Sequence, residues 1–211
     1  MFARLKEVVN WAWSFAGGTT NPATCGGIES TEPITLSSNG RVKHRCRLPM
    51  ENFRKGVAEP TATRRNGVAG FLFAAAAEEL YAQFCVPSDW DGASDIDIIL
   101  ACVLNADETA NDDIDWETSV ISVNDHEDVD VAGTQTPGAS HDIGNFNAAG
   151  MLHEVVIILD YDSGACPITT GDYLTAVISR TANIGGGGYV AGVIVIDICV
   201  EYQANKSGEA V

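Results

Sequence analysis

From residue 79 onward, apolar and polar residues alternate at every second position in one segment after another. Residues two apart lie on the same face of a β-strand, so each segment predicts a strand with one buried face. Turn-forming residues separate the segments, and no long stretch between them has helical spacing. This pattern predicts an all-β protein built as an antiparallel β-sandwich. The predicted inward-facing sets are Leu80, Ala82 and Phe84; Ile96, Ile98 and Leu100; Ile114, Trp116 and Thr118; His153, Val155 and Ile157; Leu174, Ala176 and Ile178; and Ile194, Ile196, Ile198 and Val200.

Charge divides the chain near residue 66. Residues 1–66 hold ten of the twelve Lys and Arg but only five of the twenty-nine Asp and Glu, in a chain of formal net charge −17. We therefore predict a basic N-terminal arm over 1–66, an acidic body over 67–205 and a tail over 206–211. We expect the arm to be extended beyond a short helix and a linker. The body would be repelled by nucleic acid and by anionic membranes.

The arm has two features that predict docking to a partner. Its first residues form a short amphipathic pattern, typical of a helix that docks in a partner's groove or packs on its own body. The basic residues that follow have no interleaved aromatic residues, which favours an acidic protein surface over nucleic acid as their partner. The predicted docking residues are Leu5, Val9, Trp13, Arg41, Lys43, Arg45, Arg47, Arg54, Lys55, Arg64 and Arg65.

Two acidic loops are candidate metal sites. Calcium binds several carboxylate oxygens, and a loop can supply them at close spacing, although neither loop has the order of an EF-hand. Solvated acidic loops remain the alternative, and calcium is the one cofactor we consider. The candidate ligands are Asp107, Asp112, Asp113, Asp125 and Asp128. The six cysteines have no C-x-x-C spacing, which predicts reduced thiols and assembly in a cytoplasm.

Trp90 is a candidate glycan-binding residue because it lies in a loop, SDWDG, where its ring could stack on a sugar. The alternative is that it caps the end of the sandwich. Glycosidases on sandwich folds use facing carboxylates, and the pairs Glu154 with Asp160 and Asp95 with Asp97 are possible here. Twenty-four acids after residue 66 make such pairs common by chance, and the sequence has no nucleophile or phosphate-binding motif. We expect no enzymatic activity.

Two segments resemble a known group of proteins. One is LYAQFCVPSDWDGASDIDIILACVLNADETANDDIDWETSVISV (Leu80–Val123), and the other comprises GDYLTAVISRTAN and YVAGVIVIDICVEY near the C-terminus. Together they resemble the head-fibre-like and capsid decoration proteins of tailed viruses of bacteria and archaea, over about residues 79–203. The resemblance implies a single jelly roll that decorates a capsid, often as a trimer.

These observations lead to one expected function and three alternatives. We expect a virion structural protein at the capsid surface, assembled in the host cytoplasm, whose basic arm binds the major capsid protein and whose acidic jelly roll faces outward. Copies of the chain would also bind one another, as a homotrimer. The alternatives are a single-jelly-roll major capsid protein, a collar or receptor-binding module that binds glycans, and an enzyme on a sandwich scaffold.

Overall fold

Twelve β-strands form the described part of the chain in this computed structural model, which describes residues 42–50, 53–107, 113–130, 132–181 and 191–204. These residues contain no α-helix, and so none that could cross a membrane. All of them belong to one compact unit, Thr35–Val211. The strands are β1 (Val42–Leu48), β2 (Arg54–Lys55), β3 (Thr61–Arg65), β4 (Val68–Phe73), β5 (Glu79–Cys85), β6 (Ile96–Leu104), β7 (Asp113–Val123), β8 (Thr134–Gln135), β9 (Gly138–Asp142), β10 (Leu152–Leu159), β11 (Tyr173–Arg180) and β12 (Val193–Ala204).

The strands are arranged in two antiparallel sheets. The A sheet has the order β10-β6-β12-β4-β3, with β1 paired to the same edge of β12 as β4. The B sheet has the order β2-β5-β11-β7-β8, with β9 also paired to β7. Eight strands, β4 to β7 and β9 to β12, are distributed between the two sheets in the order of a single jelly roll. The predicted antiparallel β-sandwich is therefore confirmed, and its topology is that of a jelly roll.

The core lies between the sheets and is formed by the inward-facing residues of the alternating segments. In β10, for example, the inward residues Val155 and Ile157 are buried, and exposed residues alternate with them. Trp116 is buried as predicted, and its ring packs edge-to-face against Phe73 with centroids 5.0 Å apart. Burial of such large apolar side chains is the main driving force for folding.

The last strand differs from its predicted pattern. The sequence places Ile194 and Ile196 on the same face as Ile198, but the residues that join the core before the irregularity are Val193 and Val195. A shift of register between Val195 and Asp197 is the cause. A β-bulge adds one residue to a strand, so the face of every earlier residue is reversed relative to a simple alternation.

The predicted arm is also corrected. Three strands before residue 67 belong to the sheets: β1 pairs with β12, β2 with β5 and β3 with β4. Residues 42–65 are thus part of the sandwich instead of an extended arm that ends at residue 66. The physical reason is that VKHRCRL alternates like the other strands and pairs with β12, whose Asp197 and Glu201 bind its basic side chains.

Candidate binding site on the outer face of the A sheet

The basic side chains of β1 form ion pairs with acidic side chains of the same sheet. Lys43 Nζ lies 2.7 Å from Glu201 Oε1, and Arg45 Nε lies 3.3 Å from Glu201 Oε2. Arg47 Nε lies 2.7 Å from Asp197 Oδ1. The hydrogen bond from Lys43 lowers the pKa of Glu201 and raises the pKa of Lys43 itself. Three predicted docking residues are therefore already paired within their own sheet.

One of these ion pairs crosses the outer face of the A sheet. Arg45 Nη1 on β1 lies 2.9 Å from Glu154 Oε1 on β10, although β12 and β6 lie between the two strands. Ile99 is on this outer face of β6, paired with Val156 of β10, yet it is only 3% exposed. The Arg45–Glu154 pair thus passes over the intervening strands on the face where Ile99 lies.

The remaining docking candidates have mixed surroundings. Arg54 donates to the carbonyl oxygen of the preceding residue, and Arg65 donates to a carbonyl just after β6 at 2.7 Å. Lys55 pairs with Glu59 at 3.5 Å, and Arg64 is exposed. Four predicted docking residues lie outside the described residues: Leu5, Val9, Trp13 and Arg41.

The predicted calcium ligands are not brought together in the described part of the chain. Asp107 Oδ1 accepts a hydrogen bond from the Ala149 amide at 2.7 Å, and Asp128 Oδ1 accepts one from the Asp130 amide at 3.0 Å. No three His, Cys, Asp or Glu side chains among the described residues are placed to hold a metal ion. Of the other candidates, Asp113 and Asp125 are exposed, and Asp112 lies outside the described residues.

Trp90 is not available to stack on a ligand, which corrects its prediction as a glycan-binding residue. Its side chain is 3% exposed, and its Nε1 donates to the Ser94 carbonyl oxygen at 3.1 Å. The indole ring packs edge-to-face on Tyr161, with centroids 6.3 Å apart and an interplanar angle of 70°. Trp90 therefore closes the end of the sandwich and supports a second aromatic ring, Tyr161, which is half-buried.

A cavity of about 330 Å³ lies beside Tyr161 at this end of the outer face. It is formed where a row of directly paired residues crosses three strands: Ile158 of β10, Asp97 of β6 and Glu201 of β12. The other lining residues are Lys43, Ala93, Ser94, Asp95, Tyr161, Tyr202 and Gln203. The volume is within the range of about 300–1,000 Å³ found for small-molecule sites.

The cavity is acidic, and the carboxylate of Asp97 can accept further hydrogen bonds. Burial raises the pKa of Asp97, and the negative charges of Glu201 and Asp95 add to the effect, whereas Lys43 opposes it. Lys43 Nζ is 3.9 Å from Asp97 Oδ2. Among the described residues no donor is hydrogen-bonded to the Asp97 carboxylate, so its oxygens are available to a ligand.

The sequence indicates two residues of this site, Asp95 and Asp97, as a possible catalytic pair. Both line the cavity. The other possible catalytic pair, Glu154 and Asp160, does not share a contact. Glu154 binds Arg45, and Asp160 Oδ1 accepts a hydrogen bond from the Asp162 amide at 3.3 Å. Tyr161 was missed. Its position after an alternating strand and within DYDSG, between the two acidic residues Asp160 and Asp162, was the available signal.

Comparisons with known proteins give fold-level similarity alone. No family model matches the chain, and no curated protein does. Among solved structures, the CBM22-1–GH10 modules of Clostridium thermocellum endo-1,4-β-D-xylanase 10B, complexed with xylohexaose, are 14% identical over 79% of this chain, with a TM-score of 0.39. This chain spans 27% of that protein's chain.

Two smaller domains show similar agreement. The CBM22-2 xylan-binding domain of Paenibacillus barcinonensis Xyn10C is 9% identical over 75% of this chain and 98% of its own, with a TM-score of 0.42. The CBM2 module of the evolved Dit of Lactobacillus casei BL23 phage J-1 is 9% identical over 79% of this chain and 99% of its own, with a TM-score of 0.36. At these scores the similarities carry no argument about function.

Proposed function

We propose that this protein is a virion structural protein that decorates a capsid and stabilises its lattice, by binding and without turnover. Its partners are the major capsid protein and other copies of the same chain, at the particle surface. The jelly roll supports the proposal because it covers the same residues as the resemblance to decoration proteins. One observation carries the proposal: a long edge strand of the A sheet is exposed and apolar.

That strand is β10. It pairs only with β6 among the described strands, and its outward side chains Leu152, Val156 and Ile158 are 57%, 45% and 55% exposed. Its one outward charge, Glu154, is neutralised by Arg45. An unpaired apolar edge invites strand pairing and aggregation, so natural proteins usually shorten it, charge it or cover it. In an assembly, a lattice neighbour would cover it.

Three of the other edge strands, β3, β2 and β9, are protected in the usual ways. β3 has five residues and ends in two arginines, and β2 has two residues. On the far edge of the B sheet, β9 is short and consists of small and polar residues. The contrast supports β10 as the lattice contact that we propose. Lys43, Arg45 and Arg47 form ion pairs within the sheet, so we no longer propose that these three residues dock to a partner. Docking by residues 1–41 stays a prediction.

The experiment compares two exposed valines. Val156→Glu places a second acid beside Glu154 on β10, and we expect it to abolish co-sedimentation with shells that lack the protein. The matched control is Val68→Glu, since Val68 is 46% exposed and lies on β4 of the same sheet. Thermal unfolding of each variant establishes that it is folded. Co-sedimentation of folded Val156→Glu at the wild-type level would overturn the assignment of β10 to the lattice.

A further inference from the structure

The cavity beside Tyr161 adjoins the proposed lattice contact, with which it shares Ile158, and its features point to a ligand of a particular chemistry. An aromatic ring, three carboxylates and one side-chain amide converge on about 330 Å³. Ligand sites typically combine an apolar wall with a few polar groups that fix orientation. Each of these elements is present.

The aromatic wall is rigid. Trp90 packs edge-to-face under Tyr161, and the Trp90 N–H is bonded to the Ser94 carbonyl. The backbone amide of Tyr161 donates to Asp95 Oδ1 at 3.4 Å, which ties the residue to the start of β6. A ring held in this way presents apolar area with little loss of conformational entropy on binding. Such a wall suits the apolar C–H face of a sugar ring.

The polar groups suit hydroxyl groups. The Asp97 carboxylate is available as an acceptor, and Gln203, half-buried on the same outer face as Glu201, offers both a donor and an acceptor. Lys43 is the one cation lining the cavity, against Asp95, Asp97 and Glu201. The excess of negative charge would repel an anionic ligand. A phosphate, a sulfate or an acidic sugar is therefore disfavoured.

We propose that this cavity binds an uncharged saccharide, with one sugar ring against Tyr161 and its hydroxyl groups donating to Asp97. Ile158 is shared by the cavity and the β10 surface, but Leu152 and Val156 do not line the cavity, so Val156→Glu tests the lattice contact without removing a cavity residue. A decoration protein with such a site would also attach particles to a polysaccharide surface.

The test is titration of the full chain with a panel of hexasaccharides and one basic hexapeptide, monitored by calorimetry and by NMR. The uncharged probes are cellohexaose, xylohexaose, maltohexaose, mannohexaose and chitohexaose; the charged probes are hexagalacturonate and hexalysine. We expect at least one uncharged probe to bind with a dissociation constant of about 1 mM or tighter, and hexagalacturonate to bind about tenfold more weakly or worse. Failure of every uncharged probe, or binding of hexalysine alone, would overturn the proposal.

Two variants and a matched control locate the binding. Tyr161→Ala should weaken saccharide binding about tenfold or more. The isosteric Asp97→Asn should weaken it less and reduce the discrimination against hexagalacturonate, a readout that a purely structural role would not change. The control is Tyr173→Ala, since Tyr173 is 63% exposed beside a smaller cavity of about 200 Å³ on the B sheet. Equal losses in Tyr161→Ala and Tyr173→Ala would contradict the assignment.

Discussion

Asp172 is the acceptor at the centre of a buried hydrogen-bond cluster just before β11. Its replacement should lower the free energy of unfolding. Its side chain is 3% exposed. Oδ2 accepts from Ser122 Oγ and from the Thr169 amide, both at 2.8 Å. Oδ1 accepts from Thr169 Oγ1 at 2.6 Å and from Asn124 Nδ2 at 3.0 Å. The cluster ties the loop before β11 to β7 and to the turn that follows it.

Asp172→Asn is the sharpest perturbation of this cluster because it keeps the shape. The two hydroxyl groups can rotate and become acceptors, and the Asn124 side chain can turn over to present Oδ1, but the Thr169 backbone amide can only donate. An NH₂ group in place of Oδ2 therefore faces the Thr169 N–H, and an NH₂ group in place of Oδ1 forces the Asn124 side chain to turn over. A buried donor without its acceptor costs about 1–3 kcal/mol, and loss of the charge on the other bonds adds to this. We therefore expect a loss of about 2–3 kcal/mol in the free energy of unfolding.

Urea denaturation monitored by tryptophan fluorescence measures this loss. With a typical m-value of about 1–3 kcal/mol/M, the midpoint should fall by about 1–2 M. The control is Asp113→Asn, at an exposed position of β7, which should stay within about 0.5 kcal/mol of wild type. A midpoint for Asp172→Asn equal to that of Asp113→Asn would refute the reasoning that the four hydrogen bonds hold this loop.

Two further predictions concern electrostatics. His141 Nε2 lies 3.1 Å from His153 Nδ1. Burial is the larger cause that lowers the pKa of His141, and His153 adds to it, whereas the negative charges of Asp142 and Asp113 oppose the shift. Because the unfolded state then binds the proton more tightly, stability should fall as pH drops below the ordinary histidine pKa of about 6.5, by up to about 1.4 kcal/mol per pH unit. In urea titrations from pH 7.5 downward, His141→Gln should show a shallower fall; an identical fall would contradict the assignment. Arg45→Ala should cost less than about 1 kcal/mol, because exposed ion pairs contribute little, and added salt should shrink the difference. A loss above that level, unchanged by salt in the same urea assay, would mean that Arg45 acts through packing.

Much of the sandwich was predictable because most strands have one buried face. The alternation in β6, β7, β10 and β11 identified strands that the structure contains, and Trp116 was correctly placed in the core. The error in β12 came from its bulge, since a local insertion changes the face of residues on one side of it without changing the composition.

The basic strand and the cavity show why the rest was not predictable. VKHRCRL alternates, but its inward positions include His44 and the exposed Cys46, and only Leu48 is buried. Its basic charge therefore indicates an arm more strongly than its alternation indicates a strand. The cavity depends on the register that places Ile158, Asp97 and Glu201 in one row. These residues are far apart in the chain, and no spacing in the sequence reveals that they meet.

The central claim is that this chain is a structural component of a virus particle, and a protein census of purified particles tests it most directly. Quantitative mass spectrometry would compare the copy number of this chain with that of the main shell protein. We expect a copy number equal to the shell protein's or a simple fraction of it, as for a component that follows the lattice. A copy number that fits only a single vertex would contradict decoration of the lattice, and absence from particles would contradict any structural role in the virion.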